Sequence, residues 1–309
     1  MSEALPPEPR KGRADCHQHL WPSRFLDALR RRDTYPYLRD WTLHLAGENP
    51  YPVNAKDHDV SARRATELAE GTGLALVSLS SPLGIEHLPG PEGAELIDIW
   101  HESALELPDP FRVWAAASVT DPDPVALAKI LAEERIAGLQ LPATALADPD
   151  GIAAMEPLLT ELERAGKPLL VHPGPAPACP PDLPSWWPAL VPYVAQLHQS
   201  WLAWHVCGRE RHPALRIGFV ALAGLAPLHH ERLAARGGSF GVVDPGVFYE
   251  TSSYGTRAID AMVRVVGVDG IVHGSDRPYA QPCDPGLGDA FAHAMFTANP
   301  HQMLTGESR

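Results

Sequence analysis

The chain alternates short aliphatic and β-branched runs with longer segments of helical periodicity, and this alternation constrains its fold more than any other feature. Eight short runs occur, at residues 14–17, 74–80, 111–118, 138–141, 168–172, 216–221, 247–251 and 270–275. Because strands that alternate with helices form βαβ units, the pattern predicts a parallel sheet, and eight units predict an α/β fold of the (β/α)8 TIM barrel type. A chain of 309 residues, 45% of them hydrophobic, can bury the core of such a barrel as a single domain.

Two segments do not fit the barrel pattern. Residues 1–12 are rich in proline and acidic residues and have no apolar signal core, so we expect a flexible, cytoplasmic N-terminal tail followed by a barrel over residues 13–309. Residues 33–59 show no clear periodicity and are too many for an ordinary connection. We therefore expect them to form a loop insertion over the mouth of the barrel.

The charge balance argues against two classes of partner. The chain has 25 basic and 38 acidic residues, a formal charge of -13, which repels phosphate backbones and anionic lipid. We therefore expect a small-molecule substrate and neither nucleic acid nor membrane.

The four cysteines have no Cys-x-x-Cys spacing, so we expect reduced thiols in a cytoplasmic protein. They are Cys16, Cys179, Cys207 and Cys283.

Two histidines one residue apart close the first predicted strand. Side chains alternate along a strand with period two, so the imidazoles of His17 and His19 project to the same side and can reach one ion. Two further apolar runs end in a candidate ligand, which is typical of the carboxyl end of a barrel strand. Lys-Pro-Leu-Leu-Val-His-Pro leads to His172, and Gly-Ile-Val-His-Gly-Ser-Asp-Arg-Pro leads to Asp276.

Taken in order, His-x-His, Val-His-Pro-Gly and Gly-Ser-Asp-x-Pro resemble the amidohydrolase superfamily, in its amidohydrolase-2 branch. That branch includes enzymes like aminocarboxymuconate-semialdehyde decarboxylase and several lactonases, and the resemblance runs from about residue 14 to residue 300. It implies one divalent metal ion, zinc first with manganese or iron as alternatives, and it also implies a homodimer. The implied metal ligands are His17, His19, His172 and Asp276. The alternative for each one alone is a satisfied core histidine or a helix-capping aspartate.

The chain departs from the family pattern at two strands. Strand four has Gln140 where binuclear members carry a bridging lysine or glutamate, so we expect at most one tightly held metal. Strand six has Ala221 where the decarboxylase-like members have a histidine. Three histidines could replace this missing one from a neighbouring turn, or could lie on a helix surface instead: His205, His229 and His230. We expect a further histidine, His273, to point away from the barrel lumen.

Three functions are compatible with these residues. The first is hydrolysis of a cyclic ester, an amide or a related small carbonyl compound by metal-activated water, with Asp276 as both ligand and catalytic base. The alternative is non-oxidative decarboxylation of a small unsaturated or aromatic carboxylic acid, which needs a cationic clamp such as Arg277 or, second, Arg257. The third is an inactive barrel that binds a small molecule, as suggested by Ala221 and Gln140.

Aromatic residues on the predicted mouth loops suggest a flat or ring-containing substrate. We expect substrate contacts from Trp21, Trp186 and Tyr254, together with Arg277. Packing for the aromatic residues, and a surface salt bridge for the arginine, are the competing interpretations.

Overall fold

The computed structural model describes residues 12–178, 180, 182–239, 241, 243–282 and 285–307. Eight parallel strands form one sheet in chain order, each paired with the next. They are β1 Arg13–Gln18, β2 Thr72–Val77, β3 Phe111–Ala115, β4 Ile136–Pro142, β5 Leu169–His172, β6 Ile217–Phe219, β7 Val247–Glu250 and β8 Ile271–Val272. Backbone hydrogen bonds complete the ring, from the Cys16 amide to the His273 carbonyl (2.8 Å) and from the Asp276 amide to the His17 carbonyl (2.9 Å). The fold is the (β/α)8 TIM barrel that the alternation predicts.

Helices surround the barrel, and the longer ones bury one face against it. In the first helix, Phe25, Leu26 and Leu29 are buried, at the spacing that places them on one side. The helices are Ser23–Arg31, Val60–Ala69, Gly90–Leu105, Pro124–Leu131, Pro149–Arg164, Trp187–Leu190, Pro192–Ala203, Arg209–Arg211, His230–Ala234, Thr256–Val266, Asp289–His293 and Asn299–Thr305. No helix in the described part of the chain is long and apolar enough to cross a membrane.

The insertion after the first helix lies over the mouth, as predicted, but part of it is regular structure. Three short antiparallel strands, Tyr37–Arg39, Thr42–His44 and Tyr51–Pro52, form a small second sheet. Buried Leu38 and Leu43 anchor this sheet to the protein. Its last turn, residues 45–51, forms one wall of a cavity at the barrel mouth.

Some sequence-based expectations fall outside the described structure. Residues 1–11 of the expected tail are among them, as are Cys179 and Cys283. Of the cysteines that are described, Cys16 and Cys207 are free.

Candidate metal centre

Four side chains meet at the carboxyl end of the barrel. His17 lies in β1 and His19 just after it, His172 ends β5, and Asp276 follows β8. One nitrogen or oxygen atom from each lies within 4.8 Å of the others. We call these residues, His17, His19, His172 and Asp276, the four-ligand cluster. The Nε2 atoms of His17 and His19 are 3.2 Å apart, and His19 Nε2 lies 3.4 Å from Asp276 Oδ1.

The second ring nitrogen of each histidine in the cluster faces a hydrogen-bond acceptor. His17 Nδ1 lies 3.3 Å from a carboxylate oxygen of Glu250. His19 Nδ1 lies 3.1 Å from the Ser78 carbonyl oxygen, and His172 Nδ1 lies 2.8 Å from the Pro173 carbonyl oxygen. These partners fix the proton of each neutral ring on Nδ1, which leaves the Nε2 lone pair for the cluster.

The converging Nε2 atoms fit a metal ion. Two unprotonated nitrogens 3.2 Å apart repel each other unless a proton or a cation lies between them. Two nitrogens that each lie about 2.1 Å from one ion, at an angle between about 90° and 110°, are about 3.0 to 3.4 Å apart. Three imidazole nitrogens and one carboxylate form a donor set that suits zinc, manganese or iron.

Burial and neighbouring charges adjust the protonation of the three histidines. Burial is the largest influence on the pKa of His17 and lowers it, but the hydrogen bond and charge of Glu250, with the charge of Asp276, raise it above its ordinary value. Burial lowers the pKa of His19. Burial, together with the repulsion between protonated rings at His172 and its neighbours His17 and His19, lowers the pKa of His172 well below its ordinary value. His19 and His172 are therefore neutral, as ligation requires.

Glu250, which sequence reasoning missed, holds the cluster from behind. It is fully buried at the end of β7 and accepts hydrogen bonds from His17 Nδ1, from Ser252 Oγ (2.7 Å), from the Ser252 amide and from the Ala221 amide (3.2 Å). Gly274 makes room for it, because a Cβ there would lie 2.1 Å from Glu250 Oε1. The sequence pattern that could have identified Glu250 is the same as for the metal ligands, because a polar residue ends the apolar run Val-Phe-Tyr-Glu.

No histidine takes the place of Ala221 among the described residues of the cavity. After β6 the backbone from Ala221 to Leu225 has positive φ angles between 47° and 64°, and the Ala221 amide points to Glu250. His205 Nδ1 is hydrogen bonded to the Trp201 carbonyl oxygen, and His230 Nδ1 to the Pro227 carbonyl oxygen. The ring of His229 packs beside that of His198. None of these histidines lines the cavity.

Gln140 and His273 also lie outside the four-ligand cluster. The Gln140 amide donates to the Leu79 carbonyl (2.6 Å) and to Ser81 Oγ (3.0 Å). The His273 ring packs against Phe296, with ring centroids 4.6 Å apart, as expected for a side chain that points away from the lumen. Within the described ranges, the four-ligand cluster is the one group with three or more ligand side chains.

A cavity of about 630 Å³ opens above the cluster. Of the three aromatic residues predicted to contact substrate, Tyr254 lines it. The expectation for Trp21 is corrected, because its ring is fully buried, stacks on His58 and donates to Ser80 Oγ at 3.1 Å. Trp186 is 53% exposed and lies outside the described cavity lining, so it too is corrected.

Arg277 does not act as the expected cationic clamp. Its guanidinium is buried beside the barrel, where it binds Glu67 at 2.9 Å and both carboxylate oxygens of Glu70 at 2.6 and 2.7 Å. Arg257, the second candidate, is exposed. Neither residue lines the cavity, and no described lysine or arginine does.

No protein-family model and no curated protein matches the sequence. Solved structures do match. IDCase of Metarhizium anisopliae has 16% identity over 95% of this chain and 97% of that chain, with a TM-score of 0.75. The 5-carboxyvanillate decarboxylase of Sphingomonas paucimobilis has 17% identity over 96% and 99%, with a TM-score of 0.71. The 5-carboxyvanillate decarboxylase of Novosphingobium aromaticivorans, solved with manganese and 4-hydroxy-3-methoxy-5-nitrobenzoic acid, has 15% identity over 96% and 97%, with a TM-score of 0.69.

These neighbours overturn the first functional expectation. Several of the matching structures are decarboxylases of aromatic acids, including the two 5-carboxyvanillate decarboxylases and a 2,6-dihydroxybenzoate decarboxylase from Rhizobium. The hydrolase interpretation was therefore wrong, and the findings favour the decarboxylase alternative. The TIM barrel that the sequence resemblance implies is confirmed, because this chain shares that fold with these solved structures over nearly their whole length.

Proposed function

We propose that the protein is a metal-dependent, non-oxidative decarboxylase of a small aromatic or unsaturated carboxylic acid. The observation that carries the proposal is the convergence of three Nε2 lone pairs and the Asp276 carboxylate at one end of a cavity large enough for a substituted ring. The shared fold of solved aromatic-acid decarboxylases supports it. Manganese is the first ion to test, because a neighbour of this fold was solved with it.

The four-ligand cluster would hold the ion. Bound there, a divalent cation would supply a Lewis acid for the oxygens of a substrate carboxylate or of a hydroxyl beside it. The histidines stay fixed throughout, since each Nδ1 is held by its own acceptor. They therefore position the substrate and move no proton.

Asp276 is the residue that we assign to proton transfer. When the bond between the ring carbon and the carboxylate breaks, the electron pair stays on the ring carbon, carbon dioxide leaves, and a proton must reach that carbon. The Asp276 side chain is 20% exposed and lies at the cavity, so it can deliver that proton and regain one from solvent. Asp276 has a φ of 55°, held by hydrogen bonds from its amide to His17 and from the amides of Tyr279 and Ala280 to its carbonyl.

The proposal is tested with Asp276→Asn in the manganese-loaded protein. Release of carbon dioxide is measured from a panel of hydroxybenzoic acids, and we expect the variant to be slower by about a hundredfold or more, the usual contribution of a general acid. Asp260→Asn is the matched control, because Asp260 lies on the surface, paired with Arg264, and should keep full activity. Elemental analysis and circular dichroism show whether each variant keeps its metal and its fold.

Two results would contradict the proposal. One is a folded, metal-loaded Asp276→Asn variant with the rate of the unsubstituted protein. The other is a metal-loaded protein that releases no carbon dioxide from any member of the panel.

A further inference from the structure

The cavity wall is poor in positive charge. Its described lining contains two carboxylates, Glu48 and Asp276, and no lysine or arginine. A carboxylate that leaves water needs a cation or several donors to replace its hydration. The four-ligand cluster with its ion can satisfy one substrate carboxylate, and no described side chain of the lining offers a second one a positive partner.

A chain of polar groups runs from the cluster to Glu48 on the mouth insertion. The Tyr279 ring lies edge-on to His19, with ring centroids 5.4 Å apart, and its hydroxyl lies near that of Tyr51. Glu48 lies close enough to Tyr51 for its charge to act on that hydroxyl. The Tyr193 hydroxyl, from the helix Pro192–Ala203, donates to Glu48 Oε1.

The two carboxylate oxygens of Glu48 differ in their hydrogen bonds. Its Oε1 accepts from Tyr193, while Oε2 makes no hydrogen bond with a described residue. Burial raises the pKa of Glu48, although the hydrogen bond from Tyr193 opposes this. A partly buried oxygen without a partner gains most from a neutral or cationic donor and repels an anion.

We propose that Glu48 selects the substrate of this cavity. Glu48 Oε2 accepts a hydrogen bond from a hydroxyl or amino group on the part of the substrate away from its carboxylate. The cavity therefore takes phenolic or amino-substituted monocarboxylates and rejects dicarboxylates. This inference rests on the proposed function, because that function places the substrate carboxylate at the four-ligand cluster.

The test is calorimetric binding to the manganese-loaded protein, which does not depend on turnover. The probes are benzoate, 3-hydroxybenzoate, 4-hydroxybenzoate, 4-aminobenzoate and terephthalate. We expect at least one hydroxy or amino probe to bind about tenfold more tightly than benzoate, as one hydrogen bond to a charged group allows. We expect terephthalate to bind about tenfold more weakly than benzoate or not at all.

Two variants at position 48 separate the contributions of shape and charge. Glu48→Leu removes the acceptor at similar size and should abolish the preference for hydroxy and amino probes while leaving benzoate within about twofold. Glu48→Lys supplies the missing cation and should make terephthalate the tightest ligand. Glu133→Lys is the control for net charge, because Glu133 is exposed and outside the cavity lining, and it should keep the pattern of the unsubstituted protein.

The selection by Glu48 is overturned if terephthalate binds the unsubstituted protein as tightly as the hydroxybenzoates, or if Glu48→Leu retains their preference. Carbon dioxide release, measured separately, distinguishes this failure from that of the proposed function. The expected binding pattern without carbon dioxide release counts against decarboxylation alone. Release that is accompanied by an unchanged preference in Glu48→Leu counts against the selection alone, and failure of every probe to bind counts against both.

Discussion

Replacing Glu250 with glutamine tests whether this buried carboxylate prepares His17 for a metal. All its polar neighbours are donors: His17 Nδ1, the Ser252 hydroxyl and amide, and the Ala221 amide. The glutamine NH2 group faces either the Ser252 amide or the donors around His17 Nδ1, and in both orientations one or more contacts are lost and His17 loses its negatively charged partner. Loss of such a partner lowers metal affinity by about 10- to 100-fold, which corresponds to about 1.4 to 2.7 kcal/mol.

The assay is titration of manganese into metal-free protein at fixed pH, followed by calorimetry. Ser78→Ala is the control, because the backbone carbonyl of Ser78 lies closer to His19 Nδ1 (3.1 Å) than its hydroxyl does (3.4 Å). This substitution keeps the carbonyl, so affinity should stay within about twofold of the unsubstituted protein.

A folded Glu250→Gln variant that binds manganese as tightly as the unsubstituted protein would refute the role of Glu250. The variant leaves a buried donor unpaired, which costs about 1 to 3 kcal/mol of folding free energy. If that cost prevents folding, Glu250→Asp keeps the charge but withdraws it from His17. Its smaller rise in melting temperature on adding manganese then gives the same information.

Three further predictions concern metal removal, Gly274 and Glu86. Chelation of an ion present at about 100 times its Kd should lower the unfolding free energy by about 2.7 kcal/mol and the melting temperature by about 4 °C, and an unchanged thermal melt would contradict a metal site. Gly274→Ala should weaken manganese binding by about tenfold or more, because the new Cβ displaces Glu250. Gly90→Ala is the control, since a Cβ there meets nothing within 4 Å and manganese affinity should not change. Equal affinities of the two variants in a titration would contradict this prediction. Burial raises the pKa of Glu86 from 4.5 to about 7, so between these values the folded protein keeps a proton that the unfolded chain releases. The free energy of unfolding therefore falls as the pH rises through this window, by up to about 3 kcal/mol. Urea denaturation at pH 4.5 and pH 8 measures this fall, which should be smaller in Glu86→Gln. An equal fall in the variant would contradict the assignment of the pH dependence to Glu86.

Local patterns in the sequence were sufficient to predict the barrel, and the family resemblance that they carry implied the residues of the four-ligand cluster. Alternation of apolar runs and helical segments is visible over short windows, and it determines the fold class. His17, His172 and Asp276 each lie at or just beyond the end of an apolar run, and the carboxyl ends of parallel strands meet at one edge of the barrel. That rule brings distant residues together without knowledge of any side-chain contact.

Only the tertiary structure decided which partners those residues have. Glu250 lies 233 residues from His17, and Arg277 is held by Glu67, 210 residues away. No local pattern shows that Glu250 supports the four-ligand cluster or that Glu67 binds Arg277 outside the cavity. Hydrogen bonds and ion pairs depend on separations in space. The reaction class was equally hidden, since one set of metal ligands serves either hydrolysis or decarboxylation, and the difference lies in what the surrounding walls can bind.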